Sequence, residues 1–147
     1  MHKATVGENE IQAQLNSKPR AQKFYQNQMQ HSLSERMISL IQKLDMVFIS
    51  TADKKGNCDC SPRFGQKGFV QVLDSQTIAF PEFRGNGVFA SLGNMFENPH
   101  IGMVFIDFFE TTVGLHVNGR VELFSQQKLP EVYSKKLKPP LPIGIVI

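Results

Sequence analysis

The run Met46–Gly65, MVFISTADKKGNCDCSPRFG, decides the architecture. Met46 to Thr51 is rich in β-branched and aromatic residues and reads as a strand. Ala52 to Asn57 is a turn, with Gly56 where a positive φ is needed. Cys58 to Arg63 is then the returning strand. Outward from this hairpin, Phe69–Leu73 alternates, Asp74-Ser75 turns, and Thr77–Phe80 is a further strand. Ile101–Ile106 and Val113–Phe124 complete the β pattern, the latter with Val113, Leu115 and Val117 alternating against Gly114, His116 and Asn118. Leu33, Met37, Leu40, Ile41 and Leu44 recur at helical spacing, and Ser32 with Glu35 forms a capping-box pattern, so a helix is expected over 33–44. A second helix is expected over 88–97, with Phe89, Leu92 and Phe96 on one face and Asn98-Pro99 ending it. The expected fold is mainly β with flanking helices: about six short antiparallel strands, one helix after the fourth, closing into a small barrel.

The 147 residues suit one compact body, and 41% hydrophobic residues exclude a disordered chain. A net charge of +3 permits an anionic ligand and does not call for nucleic acid. Lys128, Lys135, Lys136 and Lys138 read as a solvated face of a short helix within 125–137, with only Tyr133 nearby to stack on a base. Residues 1–31 are polar and Gln/Asn-rich and read as an arm or docking helix, opened by Pro19, ahead of a domain over 32–147. The most apolar run, Gly102–Phe109, is too short to span a bilayer and contains Asp107. No secretory signal is visible, so a cytoplasmic protein without a membrane partner is expected. Leu141–Ile147, LPIGIVI, reads as the opening of a strand, expected to pair within the barrel or across a dimer; the domain is shortened there or naturally ends there.

Cys58 and Cys60 form a C-x-C pair, not the C-x-x-C of redox or zinc sites, and no second pair completes a metal cage. On a strand both thiols face the same way. They read as free, buried or half-buried packing thiols in a reducing compartment, and no metal site is expected.

Three stretches carry chemistry: Asp59–Gly65 (DCSPRFG), Phe80–Gly87 (FPEFRGNG) running into Ser91–Asn94 (SLGN), and Asn98–Gly102 (NPHIG). The second is a strand end, a Gly-bracketed loop with Arg84 and Asn86, and a helix N-terminus. Gly85 and Gly87 let a ligand approach the backbone, and the helix offers unpaired N–H groups. With Arg84, and Arg63 from a neighbouring strand, this makes a phosphate site; the bland alternative is an ordinary loop with a solvated arginine.

In this order, with G-F-V-Q-V-L-D, E-N-P-H-I-G and H-V-N-G-R-V, these motifs resemble the FMN-binding pyridoxamine 5′-phosphate oxidase-like split barrels over about residues 33–124, in the subgroup with D-x-S-P-R and P-x-x-R-G-N motifs. The resemblance implies a six-stranded antiparallel split β-barrel forming a homodimer, with FMN in clefts between the subunits. Ser61, Pro62 and Arg63 would line the flavin cleft, and Pro81 and Glu82 would present backbone to the isoalloxazine. Arg84, Gly85 and Asn86 would hold the phosphate, with Ser91 at the helix start. His116 or Asn118 would approach from the other subunit. Gly87 and Val88 stand where relatives carry a basic residue, and Phe64 displaces the signature glycine, to pack on the flavin or fill its site. The implied activity is an FMN-dependent oxidoreductase acting on a small-molecule redox substrate. The alternatives are a non-catalytic flavin- or haem-binding module, or an apo structural dimer. No second phosphate site marks the pyridoxamine 5′-phosphate oxidase reaction itself.

Overall fold

A computed structural model describes residues 4–137 and 143–146. The chain divides into two compact units, Met1–Ser32 and Leu33–Ile147. The first is a helical hairpin, α1 (Val6–Gln14) and α2 (Lys18–Asn27), where the sequence pointed to an arm or one helix. Thr5 caps α1 in a capping box: its hydroxyl accepts from the Glu8 amide at 3.1 Å, and the Glu8 carboxylate accepts from the Thr5 amide at 2.6 Å. Pro19 sits in the first turn of α2, where its missing N–H costs nothing. The Tyr25 hydroxyl joins the two helices, accepting from Gln12 Nε2 at 2.7 Å and donating to Glu8 Oε1 at 3.1 Å.

The second unit starts with α3 (Glu35–Lys43). It begins later than expected because Ser34, not Ser32, is the N-cap and accepts from the Met37 amide at 3.4 Å. Leu33 lies outside the helix and donates its amide to the Ser75 carbonyl at 2.7 Å. Then follow β1 (Met46–Ala52), β2 (Cys58–Phe64), β3 (Gln71–Asp74), β4 (Thr77–Pro81), α4 (Ala90–Glu97), β5 (His100–Ile106), β6 (Gly114–Arg120), β7 (Glu122–Ser125), α5 (Glu131–Ser134) and β8 (Ile143–Val146). The described residues thus hold eight strands in two four-stranded antiparallel sheets, ordered β2-β1-β5-β6 and β3-β4-β8-β7, rather than six strands in a closed barrel. One added strand arises because the 113–124 run breaks at Val121. That buried residue donates its amide to the Pro99 carbonyl at 3.1 Å, and the chain passes there from the first sheet to the second. The other is β8, which pairs with β4 and β7 inside the body, as expected for the C-terminal run. Lys138 to Pro142 and Ile147 lie outside the described residues. No helix among the described residues is long and apolar enough to cross a membrane.

Burial follows the strand period. Along β1, Val47, Ile49 and Thr51 are buried. Val47 and Ile49 join Met103 and Phe105 of β5 and Ile78 and Phe80 of β4 in the core, which Ile41 of α3 and Met95 of α4 close. The back of the second sheet packs Ala79, Leu73 and Phe124 against Leu129, Tyr133 and Leu137. The expected helix over 125–137 is only a 3-10 turn and the short α5, with Lys135 paired to Glu131 and Lys136 to Asp74. Helix α4 also differs from expectation. Phe89 takes a left-handed φ of 55° and so stands outside the helix. The face that packs inward is Ser91, Leu92 and Met95, and Phe96 is 84% exposed.

Two details fix the ends of the first sheet. Asp107, buried at the end of β5, accepts from Lys43 Nζ at 2.7 Å, the Glu110 amide at 3.1 Å and the Thr111 hydroxyl at 2.8 Å. The Lys43 ammonium holds its carboxyl well below the usual carboxylate range. Gly65, after β2, has no room for a side chain: an added Cβ would lie 2.4 Å from Cβ of Phe69.

Gly65→Ala is expected to destabilise the fold by about 1–3 kcal/mol, because the clash falls on a side-chain root that cannot swing away; urea unfolding measures it. A carboxyl whose folded pKa is depressed contributes stability above its unfolded value of about 3.9, and that stability is lost as pH falls. Asp107→Asn should therefore lower Tm at pH 7, and the gap to the parent chain should shrink as thermal melts are taken to more acid pH.

Candidate functional site

Register sorts the D-C-S-P-R-F motif onto two faces of the first sheet. Thr51, Ile49 and Val47 of β1 lie opposite Asp59, Ser61 and Arg63, so these three share the inner face. Ala52, Ser50, Phe48 and Met46 lie opposite Cys58, Cys60, Pro62 and Phe64, on the outer face. Phe64 is 64% exposed there and does not fill the Arg63 site.

Arg63 is not free. Its Nε donates to Glu82 Oε2 at 2.7 Å, and its Nη1 donates to the Ser61 hydroxyl at 2.7 Å and the Pro62 carbonyl at 3.1 Å. Side-chain exposures of 17% and 9% make this Arg63–Glu82 pair largely buried. Glu82 follows β4, whose last residue is the buried Pro81. Sequence reasoning gave Glu82 a backbone role; here its carboxylate orients the arginine.

Helix α4 is stitched along the β1–β2 hairpin. The Ser91 hydroxyl donates to Asp59 Oδ2 at 2.7 Å, Asn94 Nδ2 to the Thr51 hydroxyl at 3.1 Å, and Asn98 Nδ2 to the Ala52 carbonyl at 3.1 Å. Ser91 is thereby buried at the first turn. Phe89, the N-cap, provides no side-chain cap, so the first N–H groups of the helix remain available to a ligand. Between Glu82 and α4 the loop is exposed: Arg84, Gly85 and Asn86 all face solvent. Gly85 and Gly87 have φ of 49° and 79°, which suit glycine. The Asn86 side chain accepts from the Val88 amide at 3.0 Å and shapes the turn.

The structure thus brings Ser61, Arg63, Pro81 and Glu82 together, with Ser91 tied to Asp59 four residues back along the same face of β2, and Arg84, Gly85 and Asn86 on the exposed loop between Glu82 and α4. Pro62 turns to the other face. His116 lies on β6, at the far edge of the same sheet, and its side chain is exposed on the outer face opposite Val104. The chain does not bring it to Arg63. It borders an outer-face groove of about 280 Å³ with Phe48, Cys60 and Gly102. A larger groove of about 560 Å³ on that face is lined by Ser50, Cys58, His100, Gly102 and Arg120. Asp59 is the residue missed by sequence reasoning. Its alternation with Ser61 and Arg63 was a signal, but its partner Ser91 is 32 residues away.

For a phosphate-bearing cofactor the donors fit: the amides of an uncapped helix start that Ser91 ties to Asp59, a guanidinium fixed by Ser61 and Glu82, and a second arginine on the loop. Asp59 and Glu82 place two carboxylates beside those donors.

An antiparallel fold of this kind, with its loop and helix corner, defines a class. The pyridoxamine 5′-phosphate oxidase family model matches residues 33–139, and the chain belongs to that family. No curated protein matches it. Among solved structures, a putative pyridoxamine 5′-phosphate oxidase from Lactobacillus delbrueckii has a TM-score of 0.60 at 18% identity, covering 81% of this chain and 91% of that one. HupZ of Group A Streptococcus has a TM-score of 0.54 at 19% identity, with coverages of 78% and 87%. HutZ of Vibrio cholerae, described as a heme storage protein, has 0.51 at 13% identity, with coverages of 78% and 87%. At these identities the likeness shows the fold.

Arg63→Ala should cost about 3 kcal/mol of stability, since it leaves a buried carboxylate unpaired. Adding Glu82→Gln to that variant should restore much of the loss, and a double-mutant cycle by urea unfolding reads the coupling.

Proposed function

We propose that the chain binds FMN as one subunit of a homodimer and works as an oxidoreductase on a small-molecule redox substrate. The observation that carries this reading is that the inner face of β2 fixes both ends of the P-E-F-R-G-N loop, Arg63 holding Glu82 at one end and Asp59 holding Ser91 at the uncapped start of α4 at the other, in a chain of this family. FMN supplies hydride or electron transfer when bound, so the chain has only to hold, orient and tune it.

Arg63 and Arg84 offer guanidinium groups to the phosphate dianion, and the amides at the start of α4, held in place by the Ser91–Asp59 bond, complete the donor set. Gly85 and Gly87 let the backbone close on it. Ser61 and Glu82 fix the plane of the Arg63 guanidinium in advance, which lowers the ordering cost of binding. Pro81 and Glu82 would present their backbone to the ring. His116, remote from this corner within the chain, acts from the partner subunit. The outer face that carries it also presents Met46, Phe48 and Phe64, an apolar surface for that partner. The free thiols suit a cytoplasmic setting.

The second reading is a module that holds a flavin or haem without turnover. Asp59 and Glu82 favour it, because they offset the two arginines and weaken the hold on a dianion.

Absorbance of the purified protein, followed by titration with FMN, tests the first reading. A flavin spectrum or saturable binding is expected. Arg84→Ala should weaken binding by about tenfold or more, the loss of one hydrogen bond to a charged group, and Ser91→Ala should weaken it by releasing the start of α4 from Asp59. A colourless protein that does not take up FMN overturns the proposal. A bound cofactor that neither NADH nor NADPH reduces, with candidate acceptors present, selects the second reading.

A further inference from the structure

The tip of the β5–β6 hairpin holds two aromatic side chains out in solvent. Phe109 is 97% exposed and Phe108 49%, and their rings meet edge to face with centroids 6.5 Å apart. The tip is nevertheless held firmly. Buried Asp107 accepts from the amides of Phe109, Glu110 and Thr111 and from the Thr111 hydroxyl, and Lys43 of α3 closes the same carboxylate at 2.7 Å. Thr112 takes a φ of 54°, a left-handed conformation that a β-branched residue adopts only under constraint. A buried carboxylate and a strained threonine thus fix two phenylalanines that have no core to join. Aromatic side chains fixed in advance are what anchor an interface, because little freedom is lost when they dock.

At the other end of the same hairpin the outer face is hollow. The groove of about 560 Å³ lies there, where Ser50, Ala52 and Gly102 present little or no side chain. Cys58 lines it too; the sequence had suggested buried or half-buried packing for Cys58 and Cys60, and both are exposed. Arg120 borders the groove with no ion pair or side-chain hydrogen bond among the described residues. The tip supplies what the groove lacks: rings to fill it, and a carboxylate for Arg120. Glu110 is 76% exposed and lies 3.5 Å from Lys43, whose ammonium Asp107 holds more closely.

Tip and groove cannot meet within one chain. The 7 residues of β5 separate them, a span of about 20 Å. A two-fold axis lying between two stacked outer faces and running across the strands brings them together. It reverses strand direction and keeps β5 and β6 of one copy over β5 and β6 of the other, so each tip comes to lie over the opposite groove and both contacts form at once. Two Phe109 rings bring about 300–500 Å² to an interface that needs about 1,200–2,000 Å², and the outer-face surface of Met46, Phe48 and Phe64 continues from them.

We propose that the partner of the tip is a second copy of this chain, with Phe108 and Phe109 of each copy seated in the groove of the other and Glu110 against Arg120 of the partner subunit. The proposal rests on the homodimer of the reading above and not on its cofactor.

Sedimentation equilibrium of the full chain tests it, and a dimer is expected. Phe109→Ser should raise the dimer Kd by about a thousandfold, since one substitution removes an anchor at two symmetric contacts. Glu110→Arg and Arg120→Glu should each raise it by about tenfold or more, and the two combined in one chain should return it to within about threefold of the parent. All three side chains are exposed, so far-UV circular dichroism of every variant should match the parent. A monomeric parent overturns the dimer reading and this proposal together. A dimer that Phe109→Ser leaves within about threefold of the parent, or charge reversals that do not compensate each other, overturns this proposal and leaves the dimer standing. Pelleting of the parent, but not of Phe109→Ser, with phosphatidylcholine vesicles alongside such an unaffected dimer assigns the tip to a lipid surface instead.

Discussion

The alternation of β2, pinned by its register against β1, is the constraint on which the rest depends. Because Val47, Ile49 and Thr51 must face the core, Arg63, Ser61 and Asp59 opposite them must face inward too. A slip of one residue would turn the arginine to the outer surface and bring Cys60 and Pro62 inside. Buried valine and isoleucine thus aim polar side chains at the corner between β4 and α4. Glu82 and the Ser91 hydroxyl are there to receive them, so each inward polar group is satisfied at 2.7 Å.

That corner is rigid on one side and open on the other. The three bonds from Ser91, Asn94 and Asn98 hold α4 along the hairpin, and the left-handed Phe89 sets where the helix begins. The loop from Phe83 to Val88 is exposed and carries the second arginine. A preorganised guanidinium and helix start beside an adaptable loop suit capture of a phosphate-bearing group. The same two carboxylates that preorganise the donors also set an upper limit on how strongly they hold an anion, and this tension separates a catalytic flavoprotein from a storage or binding module.

Much of this was legible in the sequence. The hairpin over 46–64 showed in its strand formers and in Gly56, whose φ is 86°. The loop residues Arg84, Gly85 and Asn86 showed in their motif. What was hidden depended on tertiary placement. Two serines compete for the cap of α3, and Ser34 wins because Leu33 is tied to Ser75. The stripe of Phe89 and Phe96 looked like a core face, yet Ser91 and Met95 pack inward once Phe89 leaves the helix. The break at Val121 has no local signal, since it reflects a change of sheet. Cys58 and Cys60 could be placed on one face from the strand period alone, but only the neighbouring strands decide that this face is outside.

The central claim is that the ligand sits at the corner of β2, β4 and α4. Backbone amide NMR of the full chain during titration with FMN tests it most directly. Shifts are expected at Arg63, Glu82, Gly85 to Gly87 and Ala90 to Leu92, with further changes at His116 where the partner subunit contributes. Shifts confined to the outer face around Ser50, Gly102 and Arg120, with Arg63 and Ser91 unmoved, would contradict it.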